Sequence, residues 1–422
     1  MEDKMKIGYA CLTVAVADTD MKSCIAKNAT NENLKSIISN NLQSLLNMLI
    51  YNVKNDIKLL RISSDLIPFG SSSINKLEWQ HIFKNEFEQI GEYIRNNELR
   101  VSMHPGQYTV LNSVNEQVVQ RAVDDLKYHC DILDLMQMDS SHKIILHIGG
   151  AYNNKLDAID RFIKNYTALD TRIKKRLIIE NDDKIYNIRE VLDISKKTSI
   201  PVVYDNLHNY ANPYDKNILD KEWITECSST WKKEDGNQKI HYSQQDNNKK
   251  TGSHSPTIHI NEFLSFYNHI KECDTDIMLE VKDKNISAIK CINLLSKKKN
   301  IKYLEQEWSR YNYSVLEKSH KDYLDIRQML KDKSAYPVKE FYCKIEDVLD
   351  LDESIPSAVN ALQHVWGYFK NKAEEKEKKK IQKLMEDYTK GLIPLNKVKS
   401  FLYTLTLKYN DSYLIQSYFF HI

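Results

Sequence analysis

The chain has 422 residues, a hydrophobic fraction of 41%, 10 glycines and 8 prolines, which excludes low-complexity sequence and leaves room for one large domain plus a smaller one. Its formal net charge is +2, so a nucleic-acid partner gains nothing from bulk charge and any basic surface must be local. The seven cysteines form no C-x-x-C pair, the start MEDKMKIGYA lacks a signal-peptide core, and no apolar run approaches the roughly 18 residues of a membrane span. The expectation is a cytoplasmic protein with structural thiols and no membrane partner.

Eight short β-rich apolar runs follow along the chain: 6–12, 57–63, 99–105, 143–149, 176–182, 201–208, 239–245 and 276–283. They are nearly continuous in Ile, Leu and Val, as parallel strands buried on both faces should be. Amphipathic segments separate them, such as NLKSIISNNLQSLLNMLIYNV after the first and NEQVVQRAVDDLKYHCDILDLM after the third. Alternating strands and helices predict βα units. Eight in this length predict an α/β fold of the TIM (β/α)8 type over residues 5–297. An open doubly wound sheet fits less well, because no G-x-G-x-x-G follows the first strand.

After residue 297 charged sequence takes over, with lysine runs at 297–299 and KAEEKEKKKIQK near 372–383. A linker is expected over 298–340 and a small all-α domain over 341–422, its last helices separated at Gly391 and Pro394. The lysine-rich stretch reads first as a solvated helix face.

In a TIM barrel the catalytic groups come from the C-terminal ends of the strands. Here those ends carry His104, His147, Glu180, Asp205 with His208 beyond it, His241 with His254 in its loop, and Glu280. Any one of these is ordinarily a hydrogen-bonded rim residue. Together, eight convergent groups ending buried runs would be left repelling or unpaired without cations, at several kcal/mol for each buried charge. Five imidazoles and three carboxylates with no thiolate suit Mn²⁺, Zn²⁺, Fe²⁺ or Co²⁺, and are enough for two to three divalent metals. Manganese is the first expectation, with zinc or cobalt as alternatives. Multi-metal centres of this kind hydrolyse phosphodiesters.

At these residues the sequence resembles the UV damage endonuclease family, TIM-barrel relatives of endonuclease IV. The resemblance rests on IGYAC (7–11), SSDLIPFGS (63–71), SMHPGQY (102–108), LHIGGAY (146–152), IENDD (179–183), VVYDNLHNYANP (202–213), KIHYSQQ (239–245), TGSH (251–254) and LEVKDK (279–284). It implies a first metal on His104, His147 and a bridging Glu180, and a second on Glu180, Asp205, His241 and Glu280. His208 and His254 would hold a third. Glu180 and Lys239 are the implied catalytic residues, Lys239 matching a family lysine that can be carboxylated. The implied reaction is a nick in duplex DNA immediately 5′ of a UV photoproduct, a cyclobutane pyrimidine dimer or 6-4 photoproduct, leaving 3′-hydroxyl and 5′-phosphate ends. Gln107 and Tyr108 match a pair that the family inserts at the lesion, and Tyr9 matches a tyrosine near the damaged bases. An inserted aromatic replaces lost stacking. The implied partner is UV-damaged double-stranded DNA, met by a monomer at the nucleoid.

Two departures bear on lesion range rather than incision. Thr13 stands where a lesion-contacting asparagine is expected, and Ser71–Ser73 lack a histidine that relatives often carry near the metals. The C-terminal stretches VNALQHVWGYFK and YTKGLIPLNKVKSFLYTL resemble a small helical bacterial domain of unknown function, with His364 read as structural. Two rival readings are a xylose-isomerase-like sugar isomerase or epimerase on the same barrel, and a non-catalytic damage-binding module. The extra pair His208 and His254 and the Gln107–Tyr108 loop favour the nuclease.

Overall fold

The computed structural model describes residues 5–422. Each predicted run forms one strand: β1 Ile7–Ala10, β2 Leu59–Ile62, β3 Arg100–Met103, β4 Ile144–His147, β5 Leu177–Glu180, β6 Val202–Asp205, β7 Lys239–Tyr242 and β8 Asp276–Leu279. All pair in parallel in chain order, and β8 returns to β1 with Ile7 opposite Ile277, closing an eight-stranded barrel. The expected TIM-type fold is therefore present.

Strand alternation sorts the barrel interior into layers. Ile145, Ile178 and Val203 form an apolar cluster two residues below His147, Glu180 and Asp205. Ala10, Leu59 and Met278 form its counterpart on the other side. The opposite, N-terminal end is closed by ions: Arg100 bonds Asp276 at 2.8 Å and the Asp235 carbonyl at 3.0 Å, and Lys143 pairs with Asp235. A paired, hydrogen-bonded charge below and an apolar layer in the middle leave the C-terminal mouth as the place for chemistry. Gly8 is required by the packing of β1 on β2, because a Cβ there would stand 1.7 Å from the Leu59 carbonyl oxygen.

Residues 290–422, with the short stretches 14–17 and 259–261, form a second, helical unit. The stretch 298–340, expected to be a linker, carries the helices Ile301–Lys318 and His320–Met329. Their apolar phase was masked by the flanking lysines, yet Leu304, Val315 and Ile326 are buried and Leu316 enters the core of this unit. Helices Ile355–Trp366, Glu375–Thr389 and Leu395–Lys408 supply most of the rest of that core. Gly391, at φ 71°, turns the chain between the last two, and Pro394 caps the second of them. None of the seven cysteines forms a disulfide; Cys130, Cys227 and Cys291 are buried and the other four half-buried. No helix among the described residues is long and apolar enough to cross a membrane.

Candidate metal centre

The expected ligands ring one end of the barrel. His147, Glu180 and Asp205 are the last residues of β4, β5 and β6, while His104 and Glu280 lie one residue beyond β3 and β8. His241 is the third residue of β7. Pairing registers bring His147 beside Glu180 and Asp205 beside His241. His208 sits in the short helix Asn206–Ala211, whose N-terminus is capped by the Asp205 carboxylate accepting from the His208 amide at 2.7 Å. His254 lies on a loop bridged to Gln245.

Glu180 is the hub. Its Oε1 lies 2.9 Å from Nε2 of both His104 and His147, and its Oε2 lies 2.7 Å from His241 Nδ1. His241 Nδ1 is also 3.3 Å from Glu280 Oε1, and His254 Nε2 is 4.0 Å from Glu280 Oε2. His208 stands 3.8 Å from the Asp205 carboxylate, with its ring 5.8 Å from that of His147. Two clusters have donor atoms close enough to share an ion: His104, His147 and Glu180, and Glu180, Asp205 and His241.

The donor set fits divalent cations on a test internal to the structure. Glu180 Oε2, Asp205 Oδ2, His147 Nδ1 and both ring nitrogens of His241 are buried with no hydrogen-bond partner. Each such orphan costs about 1–3 kcal/mol, and native interiors hold few of them. Three of these residues, Glu180, Asp205 and His241, form one of the two clusters, so their orphaned oxygens and a ring nitrogen suit a shared partner of positive charge.

The electrostatics say the same. Burial works against ionisation of Glu180, but His241, His147 and His104 outweigh it and hold its carboxyl well below the usual range. Burial pushes His104 down to about 4, leaving a neutral imidazole suited to ligation. Burial also acts against His208, yet the Asp205 carboxylate with Glu180 and Glu280 pushes it up to about 9. Burial opposes charge on Glu280, and Arg61 followed by His241 overcomes it to keep the carboxylate ionised.

Several residues the sequence reading passed over complete the centre. Arg61 is the contribution of β2 to the same inner ring and pairs directly with Glu280. A single arginine in the apolar run IKLLRIS was the available signal. Asn181 holds β5 to β6 through its side chain, donating to the Asp205 carbonyl at 3.0 Å and accepting from the Asp205 amide at 2.9 Å. Ser64 donates to the His104 carbonyl at 2.7 Å and fixes the start of the next loop.

That loop turns at residues 106–109, where the Thr109 amide donates to the Gly106 carbonyl at 2.9 Å. Thr109 and Ser71 both donate to Asp125, at 2.6 and 2.8 Å, so the turn is anchored and its tip, Gln107 and Tyr108, is exposed. Lys239, at the start of β7, lies two residues below His241 and is buried. Burial, with Arg100 and Arg61 adding to it, pushes its ammonium well below the usual lysine range. Tyr9, expected near the lesion, is buried beneath the end of β1. Alternation in β1 turns it away from the barrel interior, where its hydroxyl donates to Asn52 at 2.9 Å and meets Thr13 at 2.7 Å, and it is fully buried.

A family profile described as UV-endonuclease UvdE matches residues 5–312, and one described as a protein of unknown function (DUF1722) matches residues 312–422. A UV DNA damage endonuclease of Clostridium perfringens (strain 13 / Type A) is 42% identical over 400 residues, covering 93% of this chain and 96% of that protein. A UV DNA damage endonuclease of Bacillus cereus (strain G9842) is 32% identical over 310 residues, covering 71% of this chain and 96% of that protein. Among solved structures, SacUVDE superposes with a TM-score of 0.66 at 38% identity, covering 69% of this chain and 98% of its own.

Proposed function

The chain belongs to the UV-endonuclease UvdE family, and we propose that it nicks duplex DNA immediately 5′ of UV photoproducts, leaving 3′-hydroxyl and 5′-phosphate ends. The substrates are cyclobutane pyrimidine dimers and 6-4 photoproducts. Family membership also removes the grounds for the sugar isomerase and the non-catalytic binding module.

The observation that carries the reading is the ring of eight histidines and carboxylates at one barrel mouth, four of which, His147, Glu180, Asp205 and His241, carry buried donor atoms without a hydrogen-bond partner. His104, His147 and Glu180 would hold one divalent ion, and Glu180, Asp205, His241 and Glu280 a second. His208 and His254 would hold a third. Manganese fits this mixed N/O set, with zinc or cobalt as alternatives. Bound there, such ions would supply an activated water and neutralise charge on the phosphoryl oxygens.

The chain's own residues do the rest. Glu180 faces different histidines with its two oxygens and so links the two clusters. Arg61 keeps Glu280 ionised and oriented. Lys239 is the second catalytic candidate, because its amine is biased toward the neutral form that carboxylation requires. Gln107 and Tyr108 would enter a duplex at a site already partly unstacked, a role supported by their exposure at the tip of an anchored turn. Tyr9 acts on the lesion only if its buried hydroxyl pair with Thr13 opens. All eight ligands come from one barrel, so a monomer is sufficient, and seven free cysteines suit the reducing cytoplasm.

The test is incubation of the protein and Mn²⁺ with an end-labelled duplex carrying one defined photoproduct. A nick directly 5′ of the lesion is expected. Intact duplex, in protein verified to contain metal, overturns the proposal.

A further inference from the structure

Every large aromatic side chain exposed on the barrel unit, among the described residues, lies in a segment that follows a strand at the end carrying the candidate ligands. Tyr108 follows β3, Tyr152 follows β4, and Tyr210 and Tyr214 follow β6, with exposures of 70%, 38%, 67% and 56%. The outer helices and the opposite loops carry none. Two of the four have partners of their own. Arg161 lies 5.5 Å from the ring centre of Tyr152, and Tyr214 meets Trp223 edge-on at 6.2 Å. The Tyr210 side chain makes no hydrogen bond and no ring or cation contact among the described residues.

Its backbone, by contrast, is firmly held. The helix Asn206–Ala211 is capped by Asp205, and Asn206 exchanges two hydrogen bonds with the backbone of Ser243, at 2.9 and 2.8 Å. Asn212, just past the helix, donates to the Asp182 carbonyl at 3.1 Å. Leu207 and Asn209 are buried, which leaves Tyr210 as the member turned to solvent, two residues from His208. A rigid backbone presenting a free aromatic face is a pre-organised stacking surface, since little entropy remains to be lost on binding.

We propose that Tyr210 is a second base-stacking residue, taking a nucleobase that has left the duplex stack, three strands around the barrel rim from the Tyr108 turn. The inference rests on the nuclease reading, and adds a specificity-determining residue to it. A dipyrimidine photoproduct disturbs two adjacent bases, and one inserted aromatic replaces the stacking of only one. Tyr108 after β3 and Tyr210 after β6 flank the ligands His104, His147, Glu180, Asp205 and His208 from two sides. Stacking on a tyrosine face depends little on base identity, which suits a residue that must accept any sequence beside a lesion.

The experiment is fluorescence binding of the full-length protein with Ca²⁺ replacing Mn²⁺, to prevent cutting. Three duplexes are compared: one fully paired, one with two adjacent mismatches containing 2-aminopurine, and one with a single cyclobutane dimer opposite 2-aminopurine. Tyr210→Ala should weaken binding to the two distorted duplexes roughly 5- to 100-fold and alter the 2-aminopurine quenching. Binding to the paired duplex should be unchanged, and Tyr210→Phe and Tyr210→Trp should behave as the wild type. Unchanged binding by Tyr210→Ala, or an equal loss on the paired duplex, overturns the proposal. So does a wild type with no preference for unpaired bases. A wild type that prefers the mismatched duplex but ignores the dimer sinks the photoproduct reading, while the mismatch arm still decides the role of Tyr210.

Discussion

Glu180 Oε2 and His241 Nδ1 stand 2.7 Å apart and make no hydrogen bond. At that separation a nitrogen and an oxygen ordinarily share a proton along the line between them. A close pair without that bond is what two ligands of one cation would show. The buried Asp205 Oδ2 completes the same cluster, and it too has no partner.

The first prediction concerns that hub. Changing a residue that merely orients a ligand weakens metal affinity by about 10- to 100-fold. Glu180 is shared by both clusters, so Glu180→Gln should exceed that range and remove incision with it. Metal analysis after dialysis, beside the nicking assay, checks both. Wild-type metal content in this variant would disprove the bridging role.

Tyr108 is predicted to act on recognition alone. It is 70% exposed and its turn is held by Thr109 and Asp125 rather than by its own ring. Tyr108→Ala should leave metal content and thermal stability unchanged while cutting the preference for damaged over undamaged duplex by roughly 5- to 100-fold. Retained discrimination would make Tyr108 an ordinary surface residue.

Acid stability has a separable source at the other end of the barrel. His142 Nδ1 accepts from the Val101 amide at 3.1 Å, and burial pushes the imidazole down to about 4. Its unfolded value is about 6.5. Between those two pH values the unfolded chain binds the proton more readily than the folded one, so stability rises with pH there. The contribution is full above about pH 6.5 and is lost as pH falls through 4, on the order of 3 kcal/mol in all. Asn at this position can accept the same amide proton without titrating. His142→Asn should flatten the decline in Tm between pH 6.5 and 4, and an unaltered acid limb would place the effect elsewhere.

The parts of this design that were legible in sequence share one property: they repeat. Eight apolar runs and the groups that end them could be aligned with each other, so the barrel, His104, His147, Glu180 and Asp205 were readable without knowing any contact. Unrepeated features were not. Arg61 is one charge inside an apolar strand, and only the closure of β1 on β8 brings it to Glu280. Tyr9 sits in a matching motif, but the alternation of β1 turns its ring toward the helix Asn31–Lys54, where Asn52 receives its hydroxyl. The helix Ile301–Lys318 was obscured because its buried stripe of Leu304, Tyr311 and Val315 is embedded among charged residues.

Arg61 gives the last prediction. Without metal its guanidinium is the main cation that balances Glu280, ahead of His241, both Arg61 and Glu280 being largely enclosed at 14% and 12% exposure. Removing one partner of a buried ion pair leaves the other uncompensated, at about 3–5 kcal/mol. A divalent ion at the same carboxylate would take over much of that role. Arg61→Met should therefore lower the Tm of chelator-treated protein far more than that of the Mn²⁺-loaded protein. Put as a difference, the rise in Tm on adding Mn²⁺ should be larger in the variant than in the wild type, since metal binding to the folded state alone adds to its stability. Equal losses with and without Mn²⁺ would mean that Arg61 and the ion do not meet at Glu280, and that the guanidinium is only a structural plug beneath the mouth of the barrel.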